Sequence, residues 1–82
     1  MRVLAELPHP TCKITIFSMN QKFIIKLEKG IFEQIYKLSE LDIPEGLDGV
    51  LQILDDDFMK SAAERFEQMR LDFRSAFARY DA

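Results

Sequence analysis

The sequence predicts an α+β fold: an antiparallel β-meander of three or four strands packed on a long C-terminal α-helix. Three observations carry that expectation. Residues 11–28 alternate apolar and polar side chains about a central Asn20-Gln21. Residues 31–38 resume an apolar pattern after Gly30. From Phe58 onward the spacing changes, with apolar residues at Phe58, Ala62, Phe66, Met69, Phe73, Phe77 and Tyr80. Alternation is the period of a half-buried strand, and steps of three and four are the period of a helix.

The elements follow in chain order. "RVLAEL" at residues 2–7 fits a short strand, and Pro8 and Pro10 then end regular pairing and force an extended bend. "TCKITIFSM" and "KFIIKLE" read as a hairpin, with asparagine suited to the positive φ of a two-residue turn. With Asn20-Gln21 as the loop, Met19 faces Lys22. One face then receives Ser18/Phe23, Ile16/Ile25 and Ile14/Leu27, and the other Phe17/Ile24, Thr15/Lys26 and Lys13/Glu28. A slip of one residue would turn the apolar face to water, so this register is strongly specified.

Residues 31–38 fit either a helix face (Ile31, Ile35, Leu38, with Phe32 and Tyr36) or a third hairpin strand. The strand is preferred. A Lys29-Gly30 loop sets Leu27 against Phe32, Phe23 against Tyr36, Lys26 against Glu33 and Ile24 against Ile35. Each match is apolar on apolar or charge on opposite charge. Pro44, Gly46 and Gly49 then make a loop into a short helical turn near 47–54. Asp55, Asp56 and Asp57 mark the start of the long helix, where carboxylates cap free N–H groups and complement the dipole.

With 82 residues, the chain is expected to form a single domain, residues 1–82. A core this small leaves a thin stability margin, which small scaffolds often widen with disulfides, a metal or oligomerisation. One cysteine excludes an internal disulfide, and one histidine beside it makes a complete metal site within one chain improbable. Association between copies is the device left open. Composition (48% hydrophobic, 30% charged) is that of a folded globular protein. No apolar run approaches the roughly 20 residues of a bilayer span. The proline-broken N-terminus does not suit a secretory signal, and the cytoplasm is the expected compartment.

The net charge of −3 is unevenly spread. Residues 1–30 hold five basic residues against two acids, 31–57 one against eight, and 58–82 five against four. Such polarity favours head-to-tail electrostatic contact within or between chains.

Three constellations bear on function. His9 and Cys12 stand three apart, the spacing of a zinc half-site, and a Cys–His pair is also the material of a nucleophile and its base. Zinc wants four ligands, which only a dimer axis would assemble here. Cys12 also falls on the expected core face, so the bland interpretation prevails: a strand begins here. Lys13, Lys22 and Lys26 share the outer face with Phe17 and Ile24, a basic-aromatic mixture used for single strands of nucleic acid. Lysine on an open strand is equally a guard against edge pairing. Asp55–Asp57 lack the alternate spacing and glycine of a calcium loop. No phosphate-binding glycine loop, nucleophile elbow or HExxH occurs, and no motif assigns a family.

The chain is therefore expected to be a non-catalytic interaction domain with no cofactor and no metal. It is expected to associate with itself as a homodimer, or with another protein, but not with a membrane. Weak single-stranded nucleic-acid binding through Lys13, Lys22 and Lys26 is the alternative. Residues 56–80 would span about 37 Å as a helix, against about 23 Å for a seven-residue strand. The helix should overhang its sheet, leaving Phe73, Phe77 and Tyr80 to be covered by something else. The outer sheet row Phe17, Ile24 and Ile35, with Met19 nearby, completes the candidate interface.

Overall fold

A computed structural model describes all of residues Met1–Ala82. Four strands, β1 (Arg2–Pro8), β2 (Lys13–Met19), β3 (Lys22–Lys29) and β4 (Phe32–Ser39), form one antiparallel sheet in the order β1-β2-β3-β4. A short 3₁₀ turn (Glu40–Asp42) and helix α1 (Leu47–Ile53) lead into helix α2 (Asp56–Asp81). The α+β meander with its long C-terminal helix is thus the observed fold.

The β2–β3 hairpin has the expected register, from Lys13 opposite Glu28 to Met19 opposite Lys22. Asn20 (φ 52°) and Gln21 (φ 63°) are both left-handed, as a turn matching the strand twist requires. β1 joins the edge of β2, with Val3 opposite Phe17 and Leu7 opposite Ile14. A bulge falls between Val3 and Ala5.

The segment is strand, over Phe32–Ser39, but Ile31 lies outside it and the β3–β4 register differs from the expected one by two residues. Gly30-Ile31, not Lys29-Gly30, forms the loop, and Lys29 pairs with Phe32. The reason is conformational. Gly30 has φ +60°, while Lys29 and Ile31 stay at negative φ. Glycine at the first loop position alone takes the left-handed φ, the type II′ pattern. The expected loop would have placed a lysine at that first position. Leu27 consequently faces Gln34, Ile25 faces Tyr36, Ile24 faces Lys37 and Lys26 faces Ile35. The anticipated Lys26/Glu33 pair is lost, and Glu28 faces Glu33. Lys26 instead reaches Glu28 on its own strand, 3.4 Å away.

The core lies between the sheet and the helices. Ile14, Ile16, Phe23, Ile25 and Leu27 point inward against Met59, Ala62 and Phe66 of α2 and Val50 of α1. Gly49 sits inside α1 rather than in the loop before it. A Cβ there would stand 2.6 Å from the Ile43 side chain, so glycine permits the turn to close onto the core. The Asp55 side chain caps α2 by accepting from the Phe58 N–H at 2.8 Å.

α2 runs antiparallel to β4. The Phe58 ring meets Tyr36 edge to face at 5.2 Å between centroids. The buried Gln34 donates from Nε2 to the Ala62 carbonyl at 3.0 Å. Its Oε1 accepts from Tyr36 Oη and Arg65, both at 2.8 Å. Arg65 also donates to Tyr36 Oη at 2.7 Å. Every buried polar side-chain atom has a partner, so this cluster ties β4 to the helix without leaving an orphan group.

Candidate interaction surface

α2 outruns the sheet because 26 helical residues span about 39 Å and eight strand residues only about 27 Å. Met69 is the last residue of α2 that packs against the core, and residues 70–82 are all exposed. The molecule is correspondingly elongated, 51 × 26 × 20 Å.

The apolar stripe does not stop where the sheet does. Phe73 is half exposed, its ring edge-on to Phe32 at 6.0 Å between centroids. Phe77 and Tyr80 follow one and two turns later, 6.1 Å apart and touching no other aromatic ring. These rings lie on the helix side that carries Met59, Ala62 and Phe66 inward, since the 3- and 4-residue steps persist. Beside them is the β3–β4 hairpin tip, where Ile31 is exposed. A pocket of about 210 Å³ opens between that tip and the helix, lined by Lys29, Gly30, Ile31, Phe32, Phe66, Glu67 and Arg70. Arg70 is held there by a two-pronged bond to Glu67, at 2.7 and 3.1 Å. That bond holds the Glu67 carboxyl below and the Arg70 guanidinium above their ordinary ranges.

The outer sheet face is a poorer apolar surface than expected. Neither β1 nor residues 40–54 fold over it: β1 extends the sheet, and Ile43, Leu47, Val50 and Leu54 pack on the opposite, core side. Val3, Phe17 and Ile24 form a row across three strands, but Lys37, not Ile35, is its next member. Ile35 stands diagonally, opposite Lys26. Ile35 and Met19 are exposed, Phe17 is half-buried, and Ile24 is nearly covered within the sheet.

The three lysines are dispersed. Lys13 lies at the β1–β2 end, Lys22 at the opposite end, and Lys26 between them. The Lys26 ammonium stands 5.3 Å from the centroid of the Phe17 ring, over its face. That contact and the bond to Glu28 occupy both the cation and the aromatic surface a stacked base would use.

His9 and Cys12 border one open depression of about 510 Å³ at the β1–β2 end, with Glu6, Leu7, Pro8 and Lys13. His9 Nδ1 accepts from the Thr11 N–H at 3.1 Å, which pins the bend between the strands. Cys12 is buried in the core cluster, and burial raises its thiol pKa despite the opposing charge of Lys29. A protonated, buried thiol is a poor nucleophile. No group of three or more His, Cys, Asp or Glu residues converges anywhere in the fold. No helix is long and apolar enough to cross a membrane.

Three contributors, Ile31, Gln34 and Arg65, are not apparent in the sequence pattern. The sequence pattern extends the strand to Ile31, whereas Ile31 is a loop tip. Its signal is the preference for glycine at the first position of a type II′ turn. Gln34 and Arg65 have no sequence signal, because a polar residue in an alternating strand or on an amphipathic helix is not distinguishable from a solvated one. Comparison with protein-family models, curated proteins and solved structures finds no match to this chain.

Proposed function

We propose that the chain is a non-catalytic interaction domain that associates with itself as a homodimer and acts through protein–protein contacts. One observation carries this proposal: the apolar stripe of α2 continues past the sheet and presents Phe73, Phe77 and Tyr80 to solvent. Single exposed apolar residues are ordinary, but a file of aromatic rings beside an exposed Ile31 marks a contact surface. The small core gives association a second role, since it adds buried area that the chain alone lacks. The outer-face residues Ile35 and Met19 are a secondary surface on this view.

The nucleic-acid alternative through Lys13, Lys22 and Lys26 has less support, because Lys26 is already engaged with Phe17 and Glu28. Sedimentation velocity over a range of concentrations tests the proposal. The wild type should dimerise, and Phe77→Asp should sediment as a monomer with unchanged circular dichroism. A dimer that survives both Phe77→Asp and Ile35→Asp refutes the assigned surfaces. Loss of single-strand binding on reversing the three lysines, with assembly intact, would favour the alternative.

A further inference from the structure

The exposed end of α2 has a pattern that selects one geometry of pairing, and the inference rests on the homodimer proposed above. Along the overhang, Met69, Phe73, Ala76 and Tyr80 occupy successive seam positions with steps of 4, 3 and 4. Asp72 and Arg79 lie together on one flank of that seam, and Arg70 and Phe77 on the other. If two such segments run antiparallel about a two-fold axis, like flanks face each other. Centred between Arg74 and Ser75, Phe73 lies against the second copy's Ala76, and Tyr80 against its Met69. Large then meets small at the axis, and ring meets thioether at each end.

The charges agree with this register. Asp72 stands on the same flank as the second copy's Arg79, offset by about 3 Å along the axis, and symmetry repeats the pair, giving two opposite-charge contacts. On the other flank Arg70 stands beside the second copy's Phe77, offset by about 3 Å along the axis, a guanidinium-on-ring arrangement. A parallel pairing has no such complement, since Arg65 would face Arg70 and Asp72 would face Phe77.

The ends of the segments also find a seat. Tyr80 of one copy reaches the level of Met69 in the other, where the pocket between the hairpin tip and α2 opens. We infer that two copies pair antiparallel through residues 69–80 of α2, each inserting Tyr80 between the other's Ile31–Phe32 hairpin tip and its Phe66–Arg70 turn. The site is incomplete in one chain, because the ring that fills each pocket belongs to the second copy.

The area suffices. Phe73, Phe77, Tyr80 and Ile31 are 52, 56, 84 and 76% exposed. At roughly 200 Å² per aromatic side chain, these four residues offer about 1,000 Å² over two copies. Specific interfaces start near about 1,000–1,200 Å². The seam methionine, the alanine and the charged flanks supply the remainder.

Charge reversal tests the geometry by sedimentation equilibrium, with circular dichroism confirming helix content in each variant. Asp72→Arg places two like-charge pairs at the axis flanks and should weaken dimerisation about tenfold or more. The double variant Asp72→Arg/Arg79→Asp exchanges the partners and should restore it. Tyr80→Ala should weaken the dimer while leaving the monomer's fold unchanged. A dimer indifferent to Asp72→Arg, or one that the double variant does not rescue, overturns the antiparallel pairing. If that dimer is nevertheless split by Ile35→Asp, the homodimer stands and only this geometry fails. A wild type that stays monomeric at every concentration overturns both.

Discussion

Phe66 and Phe73 lie seven residues apart on one side of α2, yet Phe66 is 1% exposed and Phe73 is 52% exposed. Truncating each to alanine measures where the core ends. Phe66 is the largest fully buried side chain, so Phe66→Ala removes a ring and leaves a cavity, at a cost of about 3–5 kcal/mol. A chain of 82 residues has about 4–12 kcal/mol in total. The variant should therefore be close to unfolding at room temperature. Phe73→Ala loses one edge-to-face contact with Phe32, about 1 kcal/mol. In a domain this small, melting falls about 4–8 °C per kcal/mol, so the two variants should separate by about 10–30 °C. The chain has no tryptophan, so urea and thermal unfolding are followed by far-UV circular dichroism. Dilution to the monomer keeps association from adding its own stability. Phe73→Ala should then gain sensitivity only at high protein concentration. Equal costs for the two substitutions at low concentration would refute the reasoning, because α2 would then remain packed past Met69.

Three further outcomes are expected. Gln34→Leu removes an amide that holds Ala62, Tyr36 and Arg65, and should cost about 1–2 kcal/mol in urea unfolding; an unchanged midpoint would mean that the cluster adds nothing net. Asp55→Ala deletes the cap on Phe58 and should cost about 1 kcal/mol in melts. Asp57→Ala, which removes no cap bond, should cost less. The raised Cys12 pKa contributes stability that is fully present below the ordinary thiol pKa and lost as pH climbs through the raised folded value. A disulfide reagent should therefore modify native Cys12 slowly, and unfolding midpoints should fall more steeply at alkaline pH in the wild type than in Cys12→Ala. Rapid modification of the native protein at neutral pH would count against the burial of the thiol.

The arrangement with the clearest sequence signature is the β2–β3 hairpin. Its side chains alternate, one face is buried, and a single-residue slip would expose Ile14, Ile16, Ile25 and Leu27 together. The long helix was equally legible, since Asp55 supplies its cap and seven apolar residues hold the helical step. Its overhang followed from comparing two rises per residue. The alternation of residues 31–38 established only which side chains share a face. A slip of two residues preserves that property, so Gln34 and Tyr36 point toward α2, and Ile35 away from it, in either register.

A local turn and a set of long-range contacts together decided between the registers. Gly30 adopts the left-handed φ at the first turn position, and Gln34 and Tyr36 meet Ala62, Arg65 and Phe58 across 22 to 31 residues of chain. The same tertiary placement turned Ile31 outward at the hairpin tip and opened the pocket beside Phe66 and Arg70. Local pattern thus determined the elements, their faces and the length of the overhang, because each depends on residues close in sequence. The left-handed φ of Gly30 set the register at the turn, and packing of α2 along β4 fixed it across the sheet and opened the pocket, because alternation alone does not distinguish two pairings that bury the same face.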